Sequence, residues 1–142
     1  MNRKVVYIMS VKADVKIVLL KENYDELDKK IQEQGFEDYE LSLWANRREE
    51  RVFKQGKEFV IISWYYIKWD YDTDEVVEMI VDYLRMLEMN KIPCRYIAIY
   101  DVGTEDEIMS YGTDPGLMGY IAGCIYISKE IKVSDSFYDE TI

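Results

Sequence analysis

Residues 3–11, RKVVYIMSV, put Val5, Tyr7, Met9 and Val11 on one face, the alternation of a β-strand. The next stretch reads two ways. DVKIVLLKENYDELDKKIQEQG can form one helix capped by Asp14, with Leu20, Tyr24, Leu27 and Ile31 at helical spacing. Alternatively VKIVLL is a strand and only NYDELDKKIQEQ is helical, ended by Gly35; the β-branched run favours this second reading. DYELSLWA (38–45) alternates and predicts another strand.

NRREERVFKQGKEFVIISWYYIKW predicts a hairpin, with its turn at Gln55-Gly56 and a long second strand over 58–69. That strand carries Val60, Ile62, Trp64 and Tyr66 on one face and Phe59, Ile61, Tyr65, Ile67 and Trp69 on the other. It is either covered twice or keeps one face for a partner. Residues 72–90 give the clearest helix. Val76, Ile80, Leu84 and Leu87 form its apolar stripe, while Glu78, Asp82 and Arg85 lie opposite. Asp72 with Glu75, or else Thr73, supplies a cap, and Asn90 and Pro93 end the helix. Strands at 94–102 and about 119–133 follow, separated by a loop holding TEDEIMSYG, with room for one helical turn, and the turn TDPG.

These elements predict an α+β single domain over residues 1–133. Its core is a mainly antiparallel sheet of about five to six strands, with one or two helices packed on one face. Residues 134–142 read as a polar, acidic, frayed tail.

If the last two strands pair, their even faces make a strip of Tyr96, Ala98 and Tyr100 beside Tyr120, Ala122, Cys124 and Tyr126. The strip is either a tyrosine-rimmed binding surface or the seat of the 73–89 helix, since small residues let a helix approach closely. The odd faces, Ile97, Ile99, Ile121, Ile125 and Ile127, read as core.

Composition narrows the chemistry. The 142-residue chain has net charge −10, thirteen tyrosines, three tryptophans and no histidine. The acidity is uneven, +1 over residues 1–57, −4 over 58–96 and −7 over 97–142. Such a field opposes direct nucleic-acid binding and anionic membranes and favours a basic protein partner, although it also serves plain solubility. MNRKVVYIMS lacks the apolar run of a signal peptide, and no segment reaches the roughly 18 apolar residues of a membrane span. A cytoplasmic setting with Cys94 and Cys124 as free, packed thiols is expected.

Without histidine, the usual triads and histidine bases are excluded. Neither cysteine has a neighbouring base, and the seven glycines form no phosphate cradle. DYDTDE (70–75) starts like a calcium loop but has Glu75 where glycine is required and Val81 where the bidentate glutamate belongs. No metal or cofactor is expected. NRREER alternates its charges and reads as self-neutralising.

Two readings remain. One is a non-catalytic binding protein that meets a basic partner through Asp101, Glu105, Asp106 and Glu107, with Tyr96, Tyr100, Tyr111 and Tyr120 as anchors. In size, acidity and tyrosine content the chain is similar to phage-encoded stoichiometric inhibitors, anti-CRISPR and other anti-defence proteins among them, and to toxin-neutralising immunity proteins. The other is a small-ligand or nucleotide-binding protein, or small enzyme, using Tyr96, Tyr100 and Tyr126 to stack a base and Arg95 or Lys129 to meet a phosphate. A homo-oligomer is compatible with both.

Overall fold

A computed structural model of the chain describes residues 12–101, 105–112, 115–127 and 131–138. The expected strand at 3–11 lies outside them, as does residue 129.

Apolar β-branched sequence first becomes strand β1 (Lys12–Leu20), followed at once by helix α1 (Lys21–Glu33), so the strand-then-helix reading of this region holds. Helix α2 (Asp38–Ala45) comes next, then the hairpin β2 (Arg48–Lys54) and β3 (Lys57–Lys68), helix α3 (Glu75–Met89), and strands β4 (Cys94–Tyr100) and β5 (Glu105–Tyr111). The hairpin turns on Gln55 and Gly56, both at positive φ (52° and 74°), the type I′ geometry that matches the twist of the flanking strands. The chain continues through helix α4 (Pro115–Cys124), the short antiparallel pair β6 (Ile125–Ile127) and β7 (Ile131–Val133), and a 3₁₀ turn over Asp135–Tyr138.

The main sheet is antiparallel, in the order β2-β3-β1-β4-β5. Its first four strands, with helices inserted after β1 and after β3, follow the connectivity of the split βαβ motif. Helices α1, α2 and α3 cover one face. There Ala13, Val15, Ile17 and Leu19 of β1 and Val60, Ile62 and Trp64 of β3 meet Leu27, Ile31, Trp44, Ile80, Leu84 and Leu87. The other face carries Val18, Val52, Phe59, Ile61 and Ile97 and is closed by Leu117, Ile121 and Cys124 of α4, with Ile131 and Phe137. The β3 strand is thus covered twice over its first half.

The mainly antiparallel α+β architecture agrees with the sequence, but four segments differ. Residues 38–45 are helix, because Trp44 drops into the core and its indole N–H donates to Asp28 Oδ1 at 2.7 Å. Residues 115–124 are helix, because Leu117, Ile121 and Cys124 at helical spacing all face the sheet. Three helices therefore cover one face and a fourth the other. Residues 105–111, taken for a loop, form the edge strand paired with β4. The start of the supposed frayed tail is anchored by Phe137, which is fully buried against Tyr120.

The cap of α3 also moves. Asp74, not Asp72 or Thr73, accepts from the amides of Val76 (2.9 Å) and Val77 (3.2 Å). Asp70 accepts from the Asp72 amide at 3.0 Å. The acids that resemble a calcium loop are thereby committed to a turn and a cap. Asp74→Ala is expected to cost about 1 kcal/mol in urea unfolding, against under about 0.5 kcal/mol for Asp72→Ala. Equal costs would contradict this capping assignment.

Candidate functional site

A row of five aromatic rings crosses the helical side of the molecule. Tyr24, Trp44, Trp64, Trp69 and Tyr96 follow one another at centroid spacings of 6.0, 6.1, 5.0 and 6.3 Å. Each buried polar tip is satisfied. Trp64 Nε1 donates to the Leu43 carbonyl (2.8 Å), and Trp69 Nε1 to the Tyr96 hydroxyl (2.7 Å). At the open end, Arg47 lies 4.3 Å over the Trp44 ring and donates through Nε and Nη2 to the Tyr24 hydroxyl, which in turn donates to Glu49. The row locks α1 and α2 to the sheet; it is architecture rather than a pocket.

The sequence-derived candidates scatter once placed. Tyr96 is 0% exposed within the row, so it cannot anchor a partner or stack a base. Ala98 is buried in the core beneath the helical layer. Tyr100 is half-buried and donates to the Trp69 carbonyl. Tyr111 packs half-buried against the helical-side core.

Tyr120 sits on α4, across the sheet from Tyr96, with its hydroxyl donating to the Ser136 carbonyl. The strip of paired tyrosines therefore does not form, because residues 120–124 are helical and belong to the opposite layer. Tyr126 lies on β6, in the separate two-stranded sheet. Arg95 reaches the Ile125 carbonyl at 3.2 Å and ties β4 to β6. Asp101 is exposed at the turn after β4, while Glu105, Asp106 and Glu107 occupy the start of edge strand β5.

Cys94 and Cys124 are free and lie in the two different core layers. Burial first, then the nearby Glu88, pushes the Cys94 thiol up to about 11, far from thiolate reactivity at neutral pH.

A groove between α1 and α3 gathers what the sequence left dispersed. It is about 580 Å³, lined by Phe36, Met79, Met86 and Tyr83 and by the carboxylates Glu75, Glu78 and Asp82, with Lys30 as its one cation. Successive turns of α3 bring Glu75, Glu78 and Asp82 into one line, and Met79 and Met86 between them are only half-buried. The Tyr71 hydroxyl donates to Asp82 at 2.8 Å, while Glu75 and Glu78 have no ion-pair partner among the described residues. Carboxylates around this side also act on nearby hydroxyls. Tyr39 is pushed above its ordinary value chiefly by Glu40, with burial and then Glu37, Glu75 and Asp74 adding.

The sequence placed Glu78 and Asp82 simply in water. The signal for a groove was Met79 and Met86 beside the apolar stripe, not in it.

Compared with protein-family models, curated proteins and solved structures, the chain matches none. Among the described residues, no helix is long and apolar enough to cross a membrane.

Burial, then the hydrogen bond to Glu49, raises the Tyr24 hydroxyl from 10.0 to about 12, with Arg47 opposing. The unfolded chain loses this proton first, so the associated stability is complete below pH 10 and falls as pH rises towards 12. The difference in alkaline ultraviolet titration between wild type and Tyr24→Phe is expected to show a midpoint about two units above an ordinary tyrosine. Glu49→Gln should lower it. A Tyr24 midpoint near 10 would rule out the buried Tyr24–Glu49 contact.

Proposed function

We propose that this is a non-catalytic binding protein that holds a basic, amphipathic segment of a partner protein in the groove between α1 and α3. One observation carries the reading: an apolar floor of Phe36, Met79 and Met86 lies beside the carboxylates Glu75, Glu78 and Asp82. Methionine side chains are unbranched and polarisable, so they mould to varied apolar surfaces. Carboxylates along the rim steer a basic segment in and select against acidic ones. The excess of acid over base in residues 58–96 points the same way.

A helical segment of about 10 Å diameter, laying one face into a groove, is the recognition mode that this floor-and-rim chemistry serves. Such capture, if it covers the working surface of a basic partner, is how a stoichiometric inhibitor or immunity protein acts. The acids at 101 and 105–107 are then part of the general field that speeds encounter. The tyrosine strip offers no support to a ligand site of its own, since Tyr96 is interior.

A designed helical peptide of leucine and lysine, titrated into isotopically labelled protein, is expected to shift amides of α1 and α3 and to weaken with added salt. The double variant Glu78→Lys, Asp82→Lys should lose roughly tenfold or more in affinity while keeping its unfolding midpoint. Shifts centred on β5, or equal affinity in the variant, would remove the groove as the contact.

A further inference from the structure

A second groove, about 490 Å³, runs along the outer edge of β3 and has a different chemistry. Strand β2 ends where Arg48 pairs with Ser63, so β3 continues past it without a neighbour on that side. Lys12, Arg48, Ser63, Tyr65, Tyr66 and Lys68 are among the residues that line the space. None of the three cations has an ion-pair partner among the described residues.

Behind this wall lies Lys16, only 6% exposed. It stands directly across from Ser63 on β1, and Arg48 stands directly across from Ser63 on β2. Three neighbouring strands therefore set a cation, a hydroxyl and a second cation in one row on one face. Lys16 Nζ donates to Ser63 Oγ at 2.8 Å and to Tyr65 Oη at 3.0 Å. A hydroxyl that accepts from an ammonium keeps its own proton to donate elsewhere. Lys16 thus turns Ser63 and Tyr65 into oriented donors. Arg48 lies over the same Tyr65 ring at 5.2 Å and adds its guanidinium fork.

Backbone strain marks the same place. Tyr66 has φ 53°, which a bulky side chain rarely adopts, where the β1–β3 register shifts between Ala13 and Val15. Its amide is held by Asp14 Oδ1 at 2.8 Å, and its ring is turned out to 69% exposure. Strained residues persist only where surrounding structure holds them, and they concentrate at ligand clamps. Asp74 lines the groove but is committed to the cap of α3, and Asp14 accepts from the Tyr66 amide. Glu50, on the same face of β2, is engaged by the Tyr138 hydroxyl. At the far end the groove reaches Tyr39, whose surroundings are acidic.

We propose that this groove binds a small ligand with a single phosphate on an aromatic body, the chemistry of a nucleoside monophosphate. The phosphate meets Arg48 and the hydroxyls of Ser63 and Tyr65, and the ring lies on Tyr66. A long polyanion does not fit, because the cationic end is short and the Tyr39 end repels it. The volume falls within the range of small-molecule sites, about 300–1,000 Å³.

The test is an amide-shift titration of the intact chain with AMP, inorganic phosphate and adenosine in parallel. AMP is expected to shift Arg48, Ser63, Tyr65 and Tyr66, more tightly than phosphate, with adenosine weakest. Arg48→Ala and Tyr65→Phe should each weaken AMP about tenfold, whereas Glu78→Lys, in the other groove, should not weaken it. Lys16→Met tests the buried cation if it folds; the other two variants decide the matter if it does not. The site is overturned by any of three results: no shift from AMP or phosphate at roughly ten millimolar, equal affinity for AMP and adenosine, or an acidic peptide that pairs with residues 64–68 while AMP is ignored.

Discussion

Strand β1 lies between β3 and β4 and is buried on both faces from Val15 to Leu19. Ala13, Val15, Ile17 and Leu19 need one apolar layer, and Val18 needs another. A sheet built on such a strand cannot stand with helices on one side alone. The helical layer comes from the segments between strands, and the second layer from everything after β5. Lys16 sits in the middle of this arrangement. Desolvating an ammonium is costly unless its donors find acceptors, and Ser63 and Tyr65 accept two of its three.

Charge and aromatic content divide the labour. The three tryptophans and Tyr24 and Tyr96 are spent inside, where their polar tips find carbonyls, hydroxyls or a carboxylate. Tyr39, Tyr65 and Tyr66 remain outside, around the β3 edge. Glu75, Glu78 and Asp82 of α3 line a groove with Met79 and Met86. Two grooves of opposite character result, one lined by Glu75, Glu78 and Asp82 and one by Lys12, Arg48 and Lys68.

The sequence was most legible where one periodicity acted alone. The 15–20 strand, the Gln55-Gly56 hairpin and the Val76/Ile80/Leu84/Leu87 stripe were all visible, and so was the apolar character of both faces of β3, though not which of them was covered. It misled where two periods overlapped. Tyr39, Leu41 and Leu43 alternate like a strand, but Trp44 alone breaks that alternation and decides for helix. In PGLMGYIAGC, glycines and a following run of isoleucines hid the helical spacing of Leu117, Ile121 and Cys124. An Asp-Pro step opens helices as well as turns. The strained edge at Tyr66 and the row Arg48–Ser63–Lys16 were out of reach, because each depends on strand registry between segments up to 52 residues apart.

Closure of the sheet by the last quarter of the chain has a consequence during synthesis. When β4 has left the ribosome, the whole split βαβ core can fold, yet Val18, Val52, Phe59, Ile61 and Ile97 have no cover. The covering residues are still to be made, and at 5–20 residues per second they follow only after roughly 2–7 s. For that interval the nascent domain carries an exposed apolar face, the kind of surface that chaperones bind and that aggregates when they are scarce. Among the described residues, Phe137, fully buried, is the last in chain order to join this layer.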